Sequence, residues 1–227
     1  MASDKFTLKE ICSEFDIKTD IEAYGNGHIN DTYLCDTAPR FILQRLNTNV
    51  FKDPVSVMEN IVNVTEHLSK KITAAGGDPM RETLTVIPTK SGCSYFKADE
   101  NNYFRMYKFI EDSMSYDLVE NPIQLYHAGT AFGKFQSMLS DFSADRLHET
   151  IVDFHNTPKR VEQLNDAISN NAANRADSVR AEIDFAKEYA KYASAVIDKM
   201  NDGSVPLRVT HNDTKLNNVL FDKETGE

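Results

Sequence analysis

Cysteine is scarce in this chain: three residues in 227, at Cys12, Cys35 and Cys93, with no CxxC pair. That excludes a disulfide framework and fits free thiols in a reducing compartment, each expected as a small buried or half-buried side chain. Long apolar runs are missing too, none approaching the roughly 20 residues that span a bilayer. The opening MASDKFTLKE is polar and is no signal peptide, so a soluble, cytoplasmic protein with no membrane partner is expected. Basic residues are outnumbered, 25 Lys and Arg against 35 Asp and Glu, for a net charge of −10. A general nucleic-acid binder needs clustered cations, so that class is excluded. A nucleotide ligand is not, because a few placed cations and a metal suffice. Repeats and low-complexity tracts are absent.

What is present is enough apolar material, 41% of residues, to bury a sizeable core in one large domain or two small ones. Residues 4–17 read as a short helix with Phe6, Leu8, Ile11 and Phe15 on one side. AYGNGHINDTYLC, residues 23–35, reads as a β-hairpin, and RFILQRLN, residues 40–47, as a strand. Residues 54–74 form a helix with Asp53 as N-cap, Pro54 at the first helical position and Gly76-Gly77 as its stop. ETLTVIPT, GCSYFKAD and NYFRMYKFIE alternate like strands. Helices are expected at IQLYHAGTAFGKFQSMLSDF and over residues 158–171 and 175–200. Strands followed by helices predict an α+β chain with two lobes, joined near residues 110–120 and flanking a cleft.

The densest polar run lies in VTHNDTKLNNVLFDKETGE, residues 209–227. LRVT and VLF read as short strands, so His211, Asp213, Lys215 and Asn218 fall in a loop between them, where catalytic groups tend to sit. Phosphoryl transfer needs a carboxylate to take the proton of the attacking hydroxyl and a neutral oxygen to help hold Mg²⁺. An Asp with an Asn five residues on supplies both from one loop in the protein-kinase template. Asp213 and Asn218 have that spacing, and Lys215 could place a positive charge on the moving phosphoryl group. Two other readings compete: a polar hairpin loop with an Asn-rich tip, and a zinc site on His211 and Asp213. The zinc site would need further ligands, and His148 and His155 lie at no matching spacing.

The loop resembles the H-x-D-x-x-x-x-N pattern of the aminoglycoside phosphotransferase and choline kinase superfamily. VTHNDTKLNNVLFD, YGNGHINDTYL, FILQRLN and TIVDFHNTPKR together look like its N-acetylhexosamine 1-kinase branch. The resemblance implies a protein-kinase-like, two-lobed fold, with an antiparallel sheet lobe over residues 1–111 and a helical lobe begun by residues 112–227. It implies ATP and Mg²⁺ as cofactors and a small sugar or amino-alcohol acceptor, best the anomeric hydroxyl of an N-acetylhexosamine, with an aminoglycoside, choline or homoserine as alternatives. His211, Asp213 and Lys215 become catalytic candidates and Asn218 a metal ligand. Gly25 and Gly27 fall at the phosphate-binding turn, with Asn30, Asp31 and Thr32 beside it. Met106, Tyr107 and Phe109 border the adenine-holding hinge. The kinase fold puts its phosphate-binding lysine on the strand FILQRLN. Here Gln44 and Arg45 stand instead, on opposite sides of the strand, with Glu59 and Glu66 on the next helix as partners. This departure leaves a non-catalytic nucleotide-binding pseudokinase as an alternative. His155 and Arg160 recur in the branch in a role the residues do not explain. The second metal carboxylate of the template falls beyond Glu227, since Asp222 precedes a turn. By that reading the helical lobe is truncated, and residues 1–227 alone are expected to be inactive and prone to self-association.

Overall fold

The computed structural model describes residues 6–25 and 29–227. Thr7 opens helix α1 (Leu8–Glu14) with a capping box: its hydroxyl accepts the Glu10 N–H at 3.3 Å, and Glu10 accepts the Thr7 N–H at 2.7 Å. The apolar side is present as Ile11, Cys12 and Phe15, but the helix is shorter than residues 4–17, because Asp16 turns to a left-handed φ of 62°.

Six antiparallel strands follow: β1 (Ile21–Ala23), β2 (Asp31–Cys35), β3 (Phe41–Asn47), β4 (Val86–Ile87), β5 (Phe96–Lys97) and β6 (Asn102–Lys108). Their order is β1-β2-β3-β6-β4, with β5 also on β6. Between β3 and β4 lie α2 (Pro54–Ala74) and α3 (Pro79–Glu82). Helix α2 has the bounds its sequence predicts. Asp53 accepts the Val55 and Ser56 N–H groups at 3.1 Å each, and Pro54 fills the first turn. It ends at Gly76, with φ +80°, and Gly77, where a Cβ would stand 2.2 Å from the Glu82 carboxylate and 3.0 Å from Ile72. The single turn α3 is not anticipated from the sequence, although Asp78-Pro79 repeats the Asp53-Pro54 cap.

Strand alternation sorts the sheet into two faces. One face, with Leu43, Phe104 and Met106, packs on Ile11 and Cys12 of α1 and on Phe15 just after it. The other, with Leu46 and Tyr103, packs on Met58 and Ile61 of α2. The far end of α2 enters a second cluster, where Leu68 and Ile72 meet Leu139, Phe142 and Val209. Cys12 and Cys35 are fully buried with sulfurs 3.3 Å apart, whereas Cys93 is exposed, against the expectation of burial, because it sits in the turn after Gly92.

The segment after β6 is not merely a polar connection. β7 (Ser113–Met114) pairs with β8 (Phe221–Asp222), so the end of the chain returns to it. Helix α4 (Pro122–Met138) starts from an Asn121–Gln124 capping box. No strand forms over residues 207–210, where Val209 instead fills the α2–α4 cluster.

The chain clusters into two compact units, Met1–Thr150 with Arg208–Glu227, and Ile151–Leu207. In the second unit, α5 (Thr157–Asn170) is capped by Asn156 and closed by a left-handed Asn171. The single helix expected over residues 175–200 is broken instead into a 3-10 turn at Ala176–Val179, α6 (Arg180–Tyr189), a second 3-10 turn at Ala190–Tyr192, and α7 (Ala195–Asn201). No Gly or Pro marks those breaks. Phe185, Tyr189 and Tyr192 have their rings in tilted contact along this segment while exposed. None of the helices among the described residues is long and apolar enough to cross a membrane.

Leu46 is 1% exposed at the contact between the sheet and α2. Leu46→Ala is expected to lower stability by about 2–5 kcal/mol through lost burial and the cavity it leaves, read as a fall in the urea unfolding midpoint.

Candidate active site

Two apolar anchors hold the polar loop. Val209 sits in the α2–α4 cluster before it, and Phe221, fully buried, follows it against the Tyr116 ring at 5.1 Å. Between them His211 lies over Phe132 and Phe135 of α4, with ring centroids 5.3 and 5.8 Å away. Its Nδ1 accepts the Asp213 N–H at 3.3 Å. His211 thus positions the loop from behind. A 3-10 turn at Leu216–Asn218 closes the loop, and Asn217 donates to the Asp117 carboxylate at 3.3 Å.

That turn brings Asn218 back onto Asp213. The Asn218 Nδ2 donates to the Asp213 backbone carbonyl and to its Oδ2, both at 2.8 Å. The Lys215 Nζ stands 3.1 Å from the same Oδ2. The Asn218 amide first, then the Lys215 ammonium, hold the Asp213 carboxyl below the usual carboxylate range, so it is ionised at neutral pH. With Asp213 63% exposed, the ion pair contributes little to stability; it orients the carboxylate. Both donors converge on Oδ2, and neither engages Oδ1.

Among the described residues no three His, Cys, Asp or Glu gather as a metal centre. The donor set here is one carboxylate and the Asn218 amide oxygen, whose own N–H groups are spent on Asp213. Oxygen donors in that number suit a hard cation that completes its shell with phosphate and water, and do not suit zinc.

The α2-facing side of the sheet carries one polar row. Thr32, Gln44 and Arg105 are direct partners across β2, β3 and β6. Gln44 Nε2 donates to the Thr32 hydroxyl at 3.0 Å, and Arg105 donates through Nε and Nη2 to Gln44 Oε1 at 3.1 and 2.9 Å. Arg45 lies on the α1 face, ion-paired with Asp31 and bonded to Asn102. Neither α2 glutamate meets Gln44: Glu59 pairs with His148 at 2.6 Å, and Glu66 is exposed.

Gly25 takes the left-handed φ of +74° at the β1–β2 turn; Gly27 lies outside the described residues. Tyr24, beside that turn, meets Phe109 edge-on at 5.8 Å. Met106 is buried in the α1 cluster, and Tyr107 is nearly so on the opposite face. The Lys108 N–H donates to the Thr85 carbonyl and the Phe109 N–H to the Arg40 carbonyl, both at 3.0 Å. The sheet therefore uses the backbone through Phe109, and Ile110 to Asp112 follow outside the ladder.

Residues 20–227 match APH, the phosphotransferase enzyme family. The chain belongs to this family. In three dimensions it resembles the spectinomycin phosphotransferase APH(9)-Ia, solved with ADP and spectinomycin, at TM-score 0.55 and 12% identity, over 93% of this chain and 63% of that one. This chain therefore spans less than two thirds of that phosphotransferase. The likeness is one of fold, an antiparallel sheet with a helical region, as the α+β reading expects. Weaker similarity, at TM-score 0.43, extends to APH(2")-IIia with GDP and kanamycin, at 14% identity over 70% of this chain and 50% of that one.

Some residues that shape the site of this APH member escape a reading of motifs. Arg81 joins two segments, donating to the Glu111 carbonyl at 2.8 Å and pairing with Asp222 at 2.7 Å. Asp222 also accepts the Glu224 and Thr225 N–H groups at 2.9 Å each, and so holds the turn. Arg40 pairs with Glu111 and stacks on Phe109. The sequence candidates Arg160 and His155 lie in the other unit, where Arg160 donates to the Phe154 carbonyl, which ties the turn before α5, and His155 packs on the adjacent Phe154 ring. Arg40 and Arg81 have no local signal, because their partners Glu111 and Asp222 are distant in sequence.

Removing the ammonium near Asp213 should raise its carboxyl pKa toward the ordinary value, because the ionised form loses a favourable charge. Lys215→Met is expected to show this as an upward-shifted titration of the Asp213 carboxyl carbon by NMR.

Proposed function

We propose that this chain carries the nucleotide-binding and catalytic-loop parts of an ATP- and Mg²⁺-dependent kinase for a small-molecule hydroxyl. The convergence of Asn218 and Lys215 on one oxygen of an ionised Asp213 carries the reading. In the proposed step the acceptor oxygen bonds to the γ-phosphorus as the bond to the β,γ-bridging oxygen breaks. The bonding electrons leave with ADP, and the hydroxyl proton passes to Asp213. Lys215 places positive charge beside the transferring group, and Asn218 holds the carboxylate while offering an oxygen to Mg²⁺, which would supply charge neutralisation at the phosphates. Gly25 lets the backbone at the hairpin turn approach those phosphates. Residues 1–111 then form the nucleotide lobe, and residues 112–227 begin the acceptor-side lobe.

For the acceptor we propose a sugar hydroxyl, the anomeric hydroxyl of an N-acetylhexosamine. The motif set VTHNDTKLNNVLFD, YGNGHINDTYL, FILQRLN and TIVDFHNTPKR supports it. An aminoglycoside-type acceptor is the alternative, since the fold relative was solved with spectinomycin. Product analysis of the full-length protein with ATP and a panel of N-acetylhexosamines, aminoglycosides, choline and homoserine separates them. Nucleotide binding without turnover on any acceptor would instead favour a pseudokinase, the reading that Gln44 in place of lysine invites.

Asp213→Asn is expected to lower turnover by at least about 10²-fold, the scale of a lost general base, with ATP affinity little changed. Near-normal turnover would reject the assignment. Asn218→Ala should raise the Mg²⁺ concentration needed for half-maximal rate, measured in the same coupled assay; an unchanged requirement counts against a metal-ligand role.

A further inference from the structure

We propose that Arg105, on β6, is the cation that receives the nucleotide phosphates in this chain. The inference rests on the nucleotide-binding reading above. In the protein-kinase template a β3 lysine contacts the phosphates. Of the two β3 residues at that place, only Gln44 is on the α2 side of the sheet, and it has no charge. Arg105 is its direct cross-strand partner, so the two side chains share one face. Passing from β3 to β6 moves the charge by one strand spacing, about 4.8 Å, which a guanidinium's reach can span.

The surroundings of Arg105 are those of a held but unneutralised cation. Its Nε and Nη2 both bond to the neutral Gln44 Oε1, at 3.1 and 2.9 Å, and the guanidinium lies 5.2 Å from the Tyr107 ring centre. Among the described residues no carboxylate pairs with it. Three other arginines of this acidic chain take acids: Arg40 takes Glu111, Arg45 takes Asp31, and Arg81 takes Asp222, while the more exposed Arg146 bonds to the Asn63 amide oxygen. A half-buried cation without a counter-ion is unfavourable unless an anion completes it. Arg105 keeps donors beyond those bonded to Gln44, in a planar fork that matches phosphate oxygens.

The row also has a direction. Toward its outer strand, Gln44 is fixed by Thr32, which begins β2 after the turn that carries Gly25. Along β6, Arg105 stands between Tyr103, which packs on α2, and Tyr107 near the Phe109 hinge. A nucleotide with its base near the hinge and its phosphates toward Gly25 would cross this row. Arg45 has neither feature, since it is on the other face with its charge matched by Asp31.

The test is calorimetric titration of the intact protein with AMP-PNP and, separately, with adenosine, comparing the wild type with Arg105→Ala, Arg105→Lys and Arg45→Ala. Arg105→Ala should weaken AMP-PNP by about tenfold or more, the scale of a hydrogen-bonded charge, while adenosine affinity is unchanged. Arg105→Lys should keep most of the preference for the nucleotide. If Arg105→Ala does not fold, Arg105→Gln, which keeps a hydrogen-bonding amide without charge, is expected to show the same selective loss. Loss of AMP-PNP and adenosine affinity in equal measure, or no loss, makes Arg105 a structural tie for Gln44 and overturns the inference. So does a selective loss in Arg45→Ala with none in Arg105→Ala. A wild type that binds AMP-PNP no better than adenosine removes the nucleotide-site reading and the inference together, and this is seen before any substitution is made.

Discussion

Helix α2 must satisfy two hydrophobic clusters at once, and the candidate site depends on that double duty. Its first half packs Met58 and Ile61 against the sheet residues Leu46 and Tyr103. Its second half packs Leu68 and Ile72 against Leu139 and Val209, next to the polar loop. A helix of 21 residues is a rod of about 30 Å, so burying both ends ties the row Thr32–Gln44–Arg105 and the Asp213 loop to one rigid element. The proposed phosphoryl transfer would draw most of its rate from positioning, which demands such rigidity.

Around that rod, short polar ties do the local work. Arg81 links the Glu111 carbonyl to Asp222, and β7 pairs with β8, so the segment after the hinge and the strand after the loop are joined. His211 uses its ring on the aromatic face of α4 and its Nδ1 on the Asp213 amide. Each exposed pair adds little stability, but each removes freedom from a backbone segment that carries a functional group. The pattern separates two uses of charge. Matched pairs set geometry, and Arg105 is held by an amide with no carboxylate partner among the described residues.

The two compact units differ in how fully they bury their apolar residues. In the first, both faces of the sheet are covered by helices, and of the loop anchors Phe221 is buried and Val209 half-buried. In the second, Ile183 is buried while Phe185, Tyr189, Tyr192 and Val196 are exposed. Helix α4 of the first unit shares this openness, with Ile123, Leu125 and Tyr126 exposed, so an apolar side chain at helical spacing does not by itself secure burial.

The sequence by itself determined what neighbours along the chain can decide. The cap Asp53, Pro54 and the apolar period set α2 to the residue, and the Asp213–Asn218 spacing closes through one 3-10 turn. It also separated Gln44 from Arg45, because strand alternation puts them on opposite faces. Tertiary structure alone decided which face α2 covers, and so which of the two lies on the α2 side. It also decided that Arg105, 61 residues from Gln44, is the partner on that row. It brought Cys12 to Cys35 and Arg81 to Asp222. It broke residues 175–200, where helical propensity is continuous and no glycine or proline gives warning. The reason is common to these cases. Local rules fix the direction of a side chain relative to its own backbone, whereas its partner is set by strand register and helix packing, whose cause lies dozens of residues away.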